Sequence, residues 1–312
     1  MNYIKINSKE VYLEEYGKEH ERSIVYFHGG PGAGCLDFRA QAKALGETYH
    51  VLIFDQLGCW RSEAIPQNES FGLSDHVQLI DKMREILGIK TWTVLGHSFG
   101  GMLACLYAYT YQKNIDAVIY ECPSWDIALS FKSVASSLYY PYFQSIKSDE
   151  GLSICTKIIN INYLNRQDIL TDHISASSMV KDNKVREYLH GISAEELYSH
   201  YQLEDDELRG ITTQEQFTEK FKRGGDTGRD KILESGEMFK EYLPFLKEIK
   251  KPSLLLVGKY DPACGKDQRD YFKQFSINGK IVEFENSGHF PRIEEPQAYT
   301  KAIIDFMDNF AV

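Results

Sequence analysis

Thr91-Trp-Thr-Val-Leu95 runs directly into Gly96-His-Ser-Phe-Gly100, which in turn opens an apolar, helix-patterned stretch over 99–111. The first five residues are β-branched or aromatic almost throughout, and the run is too short for a helix. A serine between two glycines at a strand-to-helix junction is placed for chemistry. The sharp turn holds it in strained backbone geometry and projects its hydroxyl out of the sheet. Glycines two residues to either side let neighbouring backbone approach closely. The following helix N-terminus adds partial positive charge where an oxyanion would form. Ser98 is therefore expected to be a nucleophile.

The flanking sequence carries the same rhythm. Ser23-Ile-Val-Tyr-Phe27, His50-Val-Leu-Ile-Phe54 and Ala117-Val-Ile-Tyr120 are short, nearly continuous apolar runs, as strands buried on both faces of a parallel sheet require. Helical patterns lie between them at about 37–45 and 73–87, the latter with Ser74 as its N-cap. Glu10-Val-Tyr-Leu-Glu-Glu-Tyr16 alternates in polarity and reads as an antiparallel edge strand. The sum predicts an α/β fold with a doubly wound, mostly parallel sheet.

After Pro123 the rhythm breaks. Residues 124–243 are mostly polar and helical, with 14 aspartates and glutamates from Glu187 to Glu241 and apolar positions such as Ile192, Leu197 and Tyr201 at helical spacing. Strand patterns resume at Ser253-Leu-Leu-Leu-Val257 and 280–284, and an amphipathic helix closes the chain at about 296–310. A sheet that stops and resumes is one domain, 1–123 and 244–312, interrupted by a helical cap at 124–243. Arg223-Gly-Gly-Asp-Thr-Gly-Arg229 reads as a loop within that cap.

A serine hydroxyl is a weak nucleophile until a base takes its proton. On this architecture an acid and then a histidine should follow the serine, each just past a late strand. Leu256-Val-Gly-Lys-Tyr-Asp261 supplies the acid and Phe284-Glu-Asn-Ser-Gly-His289 the base. Asp261 would fix the imidazole tautomer, and His289 would act as base and then as acid. His28-Gly-Gly-Pro-Gly32, directly after a strand, suits an oxyanion loop. The backbone N–H groups of Gly30 and Phe99 are the expected donors, with Gly29 beside the substrate. No G-x-x-x-x-G-K-[ST] or G-x-G-x-x-G spacing makes it a phosphate loop. His28 is expected to order the loop, His97 to be packed or hydrogen-bonded, and Asp55 to tie loops together.

Composition narrows the field further. Across 312 residues, 43% hydrophobic and 26% charged is the balance of a globular chain, which excludes disordered and collagen-like classes. The net charge of −10 repels nucleic-acid phosphates and anionic lipid, so neither is an expected partner. No apolar run approaches the roughly 20 residues of a membrane span. Met1–Glu10 has no apolar core of a secretory signal, which points to the cytoplasm. The six cysteines form no C-x-x-C pair and the nine histidines no ligand pair. No metal and no cofactor are expected.

His28-Gly-Gly-Pro-Gly32, Asp55-Gln-Leu-Gly-Cys-Trp-Arg-Ser62, Gly96-His-Ser-Phe-Gly-Gly-Met102 and Gly288-His289 together resemble the prolyl aminopeptidases, or proline iminopeptidases, of the α/β-hydrolase fold. The resemblance covers about 20–125 and 245–310. It implies release of an N-terminal residue, typically proline, from a short peptide in a pocket closed by the cap. Two positions depart from it. Trp60 stands where a small glycine is usual and would reshape the entrance. Pro262 stands where the resemblance implies a glutamate for the substrate ammonium. An ammonium leaving water needs a carboxylate, and Glu234 and Glu237 are the candidate replacements. The aromatics Tyr139, Tyr140, Tyr142 and Phe143 are either a substrate wall or cap core, and Cys35 and Cys59 are expected as buried, inert thiols. An esterase or lactonase acting on a small ester is the alternative chemistry. A non-catalytic ligand sensor is the alternative of a different class.

Overall fold

A computed structural model describes residues 3–161, 163, 165–182, 185 and 223–310. Eight strands form one sheet: β1 (Tyr3–Ile6), β2 (Lys9–Tyr16), β3 (Ser23–Phe27), β4 (His50–Phe54), β5 (Trp92–His97), β6 (Ile115–Glu121), β7 (Ser253–Gly258) and β8 (Gly279–Phe284). Their order across the sheet is β1-β2-β4-β3-β5-β6-β7-β8. The first two pairings, β1 with β2 and β2 with β4, are antiparallel; all the others are parallel. The predicted doubly wound sheet is thus present.

Strand alternation divides the core between the two faces. Ile24 and Tyr26 of β3, Val51 and Ile53 of β4, and Leu254 and Leu256 of β7 pack on one face. Val25 and Phe27, Leu52 and Phe54, and Leu255 and Val257 pack on the other. Helices α1 (Arg39–Leu45), α2 (Leu73–Ile86) and α3 (Phe99–Thr110) connect the first parallel strands. Between β6 and β7 come α4 (Ile127–Val134), α5 (Tyr140–Ser145), α6 (Asp149–Asn160), α7 (Asp168–Met179) and α8 (Thr227–Ser235). The last helices are α9 (Lys266–Phe275), α10 (Pro291–Glu294) and α11 (Pro296–Asn309). Phe131, Phe143, Ile158 and Ile169 of the inserted helices belong to the same buried cluster as Phe27 and Val94 of the sheet. Ile192, Leu197 and Tyr201 lie outside the described residues.

Two expectations are corrected. The edge strand is β1, and β2 lies inside it, paired on both sides. Asn7 and Ser8, at φ +46° and +70°, make the two-residue turn that joins them. The N-cap of α2 is Gly72, whose N–H donates to the Asp75 carboxylate at 2.8 Å, and Ser74 lies within the first turn.

Candidate active site

Every expected site residue of the sheet follows the carboxyl end of a parallel strand, the edge where open α/β sheets bind ligands. Ser98 follows β5, Asp261 follows β7, His289 follows β8, and Gly29 and Gly30 follow β3. Ser98 caps α3 with φ +54° and ψ −116°, a conformation that costs about 1–3 kcal/mol and persists only where its surroundings enforce it. The surroundings do so. A Cβ on Gly96 would sit 2.1 Å from the Gly100 carbonyl oxygen, and one on Gly100 would sit 2.0 Å from that of Phe27. The two glycines therefore let the turn close upon itself and upon β3.

The three side chains form a continuous hydrogen-bonded chain. Asp261 Oδ1 lies 2.8 Å from His289 Nδ1, and His289 Nε2 lies 3.0 Å from Ser98 Oγ. An ionised carboxylate only accepts, so Nδ1 carries the proton and Nε2 accepts the serine hydroxyl. Asp261 is held in turn by two backbone donors, Ala263 N–H at 2.9 Å and Cys264 N–H at 3.1 Å. Its side chain is fully buried, while that of His289 keeps 14% exposure toward the cavity. The Cys122 thiol is also close. Its sulfur and the ligand atoms of Asp261 and His289 lie within 4.8 Å of one another. Burial, then the Asp261 charge, pushes that thiol well above its ordinary pKa. Since Asp261 and His289 are already bonded to each other, this cluster is the interior of the hydrogen-bonded chain.

Loops behind the serine are locked by buried polar groups. His28 Nδ1–H donates to the Gly29 carbonyl at 2.9 Å, and its Nε2 accepts the Gln56 N–H at 3.0 Å. Burial holds the ring below the ordinary histidine pKa. It orders the glycine loop, as its sequence context suggests. Asp55 accepts from Cys35 N–H at 2.9 Å and from Arg61 Nε at 2.6 Å. Burial alone would raise its pKa, but the Arg61 charge and hydrogen bonds outweigh that and lower it. His97 Nε2–H donates to the His289 carbonyl at 3.0 Å, and burial holds the ring well below the ordinary range.

A cavity of about 180 Å³ opens at Ser98. Gly30, Ser98, Phe99, Met102, Ser124, Pro262, Ala263 and His289 line it from the sheet side. Ile127, Ser130, Phe131 and Val134 of α4 and His173 of α7 line it from the insertion. Gly30 (φ +112°) and Phe99, the first residue of α3, thus share the cavity with Ser98. Gly29 does not line it: a Cβ there would meet His97 Nδ1 at 2.9 Å and Ser98 Cβ at 3.3 Å. Its role is to let the glycine loop lie against the serine turn.

Three further expectations move away from the cavity. Trp60 Nε1–H donates to the Gly32 carbonyl at 2.7 Å, and the Trp60 carbonyl accepts the Gly224 N–H at 2.7 Å. Trp60 thus ties the glycine loop, through its indole, to the returning end of the insertion, through its backbone carbonyl, and does not line the cavity. Glu234 pairs with Lys231 at 2.7 Å on the surface. Glu237 accepts the Ser74 N–H at 2.9 Å and its hydroxyl at 3.0 Å, so it satisfies the first turn of α2. Neither glutamate lines the cavity. Tyr139 and Phe143 are fully buried core, and neither they nor Tyr140 and Tyr142 reach it. Cys35 and Cys59 are buried thiols.

The lining from α4 and α7 escaped the sequence reading. The available signal was the amphipathic run Ile127–Val134 directly after Pro123, whose apolar face could be read as core or as cavity. Its position depends on distant residues: Gln268 of α9 donates to Ser130 Oγ at 3.0 Å and accepts the Asp126 N–H at 3.0 Å.

Comparison with known proteins agrees with this fold. A family model described as alpha/beta hydrolase fold matches residues 22–146. The chain is 24% identical to the proline iminopeptidase of Heyndrickxia coagulans over 298 residues, 92% of this chain and 90% of that protein. It is 26% identical to that of Saccharolobus solfataricus over 317 residues, covering 98% and 91%. Among solved structures, the proline iminopeptidase-related protein of Thermus thermophilus matches at TM-score 0.70 and 20% identity, covering 98% of this chain and 96% of that one. The enol-lactonase of Burkholderia xenovorans matches at TM-score 0.61 and 19% identity, covering 98% and 99%. Among the described residues no helix is long and apolar enough to cross a membrane. The chain is a hydrolase of the α/β-hydrolase fold, similar in sequence to the proline iminopeptidases.

Proposed function

We propose that the protein is a serine hydrolase that works through an acyl-enzyme on Ser98 and releases a small N-terminal residue, proline foremost, from short peptides. The observation that carries this reading is the unbroken chain from Asp261 through His289 to a strained Ser98 at the mouth of a small cavity. His289 Nε2 takes the hydroxyl proton as Ser98 Oγ attacks the scissile carbonyl. The resulting oxyanion is stabilised by the N–H groups of Gly30 and Phe99, the latter left unpaired by helix geometry. Collapse breaks the C–N bond, and His289 returns the proton to the leaving amine. Water, activated by the same imidazole, then hydrolyses the ester and restores Ser98. Asp261 keeps the ring in the working tautomer and stabilises its charged form.

Cavity size supports a small acyl group. A volume near 180 Å³ lies below the roughly 300–1,000 Å³ usual for small-molecule pockets. The insertion at 124–243 acts as a cap whose α4 and α7 form the far wall, so a folded chain does not enter. The sequence relatives named proline iminopeptidases support the peptide reading.

A second reading, a small uncharged ester, has its own observation. No described residue lining the cavity is an aspartate or glutamate, and Pro262, where the resemblance to the prolyl aminopeptidases implies a glutamate, is among its lining. Rates on prolyl-p-nitroanilide, alanyl-p-nitroanilide and p-nitrophenyl butyrate, each with Ser98→Ala as control, decide between the two. Ser98-dependent turnover fastest on the prolyl anilide supports the peptidase. Turnover of the butyrate alone establishes the esterase.

A further inference from the structure

Helix α10 directs its carboxylate at the loop that carries His289. Glu294 Oε2 accepts the Gly288 N–H at 2.8 Å and the Phe290 N–H at 3.2 Å, the amides on either side of that histidine. Glu295 repeats the arrangement one step out, accepting the Asn286 N–H at 3.0 Å and the Ser287 hydroxyl at 2.6 Å. The opposite face of α10 is anchored. Arg292 is fully buried and pairs with Asp37 and, at 2.8 Å, with Glu121. The Glu121 carbonyl in turn accepts the Ser98 N–H at 2.9 Å. Serine and histidine are thereby referenced to one buried residue: Glu121 holds the Ser98 backbone directly and the His289 loop through α10.

We propose that Glu294 is a positioning residue for His289, fixing its loop through the amides on both sides of that histidine. This rests on the reading of His289 as the base. Other titratable groups also lie around the ring. His97, at the end of β5 with ring centroids 4.8 Å away, is buried and held well below the ordinary histidine range. Cys122, after β6, is a thiol pushed up by burial. Arg292 is matched by Asp37 and Glu121. Among the described residues, Asp261 meets the ring itself and Glu294 meets the amides of its loop. Burial raises the pKa of Glu294 itself, against the two amide hydrogen bonds and the His289 charge.

The test is the rate at which a fluorophosphonate labels Ser98, followed from about pH 5 to 9, which needs no knowledge of the substrate. Glu294→Gln keeps an acceptor oxygen and removes the charge. Its plateau should stay within about threefold of wild type, because the amide oxygen still meets both N–H groups. Glu294→Ala loses both functions and should lower the plateau by about tenfold. With the wild type labelled normally, a plateau in Glu294→Ala within about threefold of wild type, or one in Glu294→Gln that falls as far as in Glu294→Ala, overturns this inference alone. Wild-type protein that takes no label at Ser98 overturns the serine-hydrolase reading and this inference with it.

Discussion

The two walls of the cavity are built in different ways. On the sheet side, the serine turn and the acid are held largely by close neighbours in the chain. Ser98 is forced into its turn by Gly96 and Gly100, which have no room for a Cβ, and Asp261 is held by amides two and three residues along the chain. On the inserted side, Ile127, Phe131, Val134 and His173 reach the cavity through helices placed by long-range contacts. Examples are the Gln268–Ser130 hydrogen bond and the Arg166 pairing with Asp126. Local over-determination suits chemistry, which tolerates little misplacement. A wall set by packing suits selectivity, which changes when helices or their side chains change.

If that contrast holds, substitutions on the sheet side should cost the most. Asp261→Asn leaves the geometry in place but forces the wrong imidazole tautomer, and should reduce kcat by about 10⁴-fold with KM little changed. A loss below tenfold in steady-state assays would break the account of that wall. Gly100→Ala should destabilise the fold by about 3 kcal/mol or more in urea titration, because its Cβ would lie 2.0 Å from a backbone oxygen of β3. An unchanged midpoint would show that the turn has slack.

Acid stability gives a third test. His76 is buried against Phe71, and burial holds its pKa at about 3, against an ordinary 6.5. The native state keeps it neutral while the unfolded state takes up a proton, so stability is complete above about pH 6.5 and falls as pH drops toward 3. At pH 5 the loss from this group is about 2 kcal/mol. His76→Phe, which keeps the ring contact, should therefore lose less stability between pH 7 and 5 than wild type by about that amount. His28 and His97, also held low by burial, act in the same direction and leave a residual slope.

On the inserted side, Phe131→Ala should leave catalysis intact and change the preference between prolyl and bulkier acyl groups by about tenfold, read as a ratio of kcat/KM values. The smallest effects belong to the two surface glutamates. Glu234→Gln and Glu237→Gln should change kcat/KM on any substrate by less than about threefold, while Glu237→Gln loses up to about 1 kcal/mol of stability at the start of α2. A large selective loss on substrates with a free amine would restore either one as an ammonium partner.

The same contrast explains what could be read from the chain. Gly96-His-Ser-Phe-Gly100 between a strand and a helix is a local pattern with one physical reading, and it led to Asp261 and His289 by their own strand ends. The β3, β4 and β7 runs were legible because strands buried on both faces leave little choice of residue. β1 was missed because Tyr3–Ile6 is short and its turn residues, Asn7 and Ser8, are not the glycine-containing pair that signals a hairpin most strongly. Trp60 was misplaced because an indole beside an active-site loop looks the same in sequence whether it faces substrate or donates to the Gly32 carbonyl. Glu294 was passed over for a related reason: hydrogen bonds from Gly288 and Phe290 arise from the fold of the loop and leave no periodic trace.

Mapping a fluorophosphonate adduct by mass spectrometry tests the central claim most directly, with wild type, Ser98→Ala and His289→Gln compared at one pH. The account predicts a single adduct on the peptide containing Ser98, absent in Ser98→Ala and formed at least about 10³-fold more slowly in His289→Gln. An adduct on another residue, or labelling of Ser98 at an undiminished rate without His289, would contradict it.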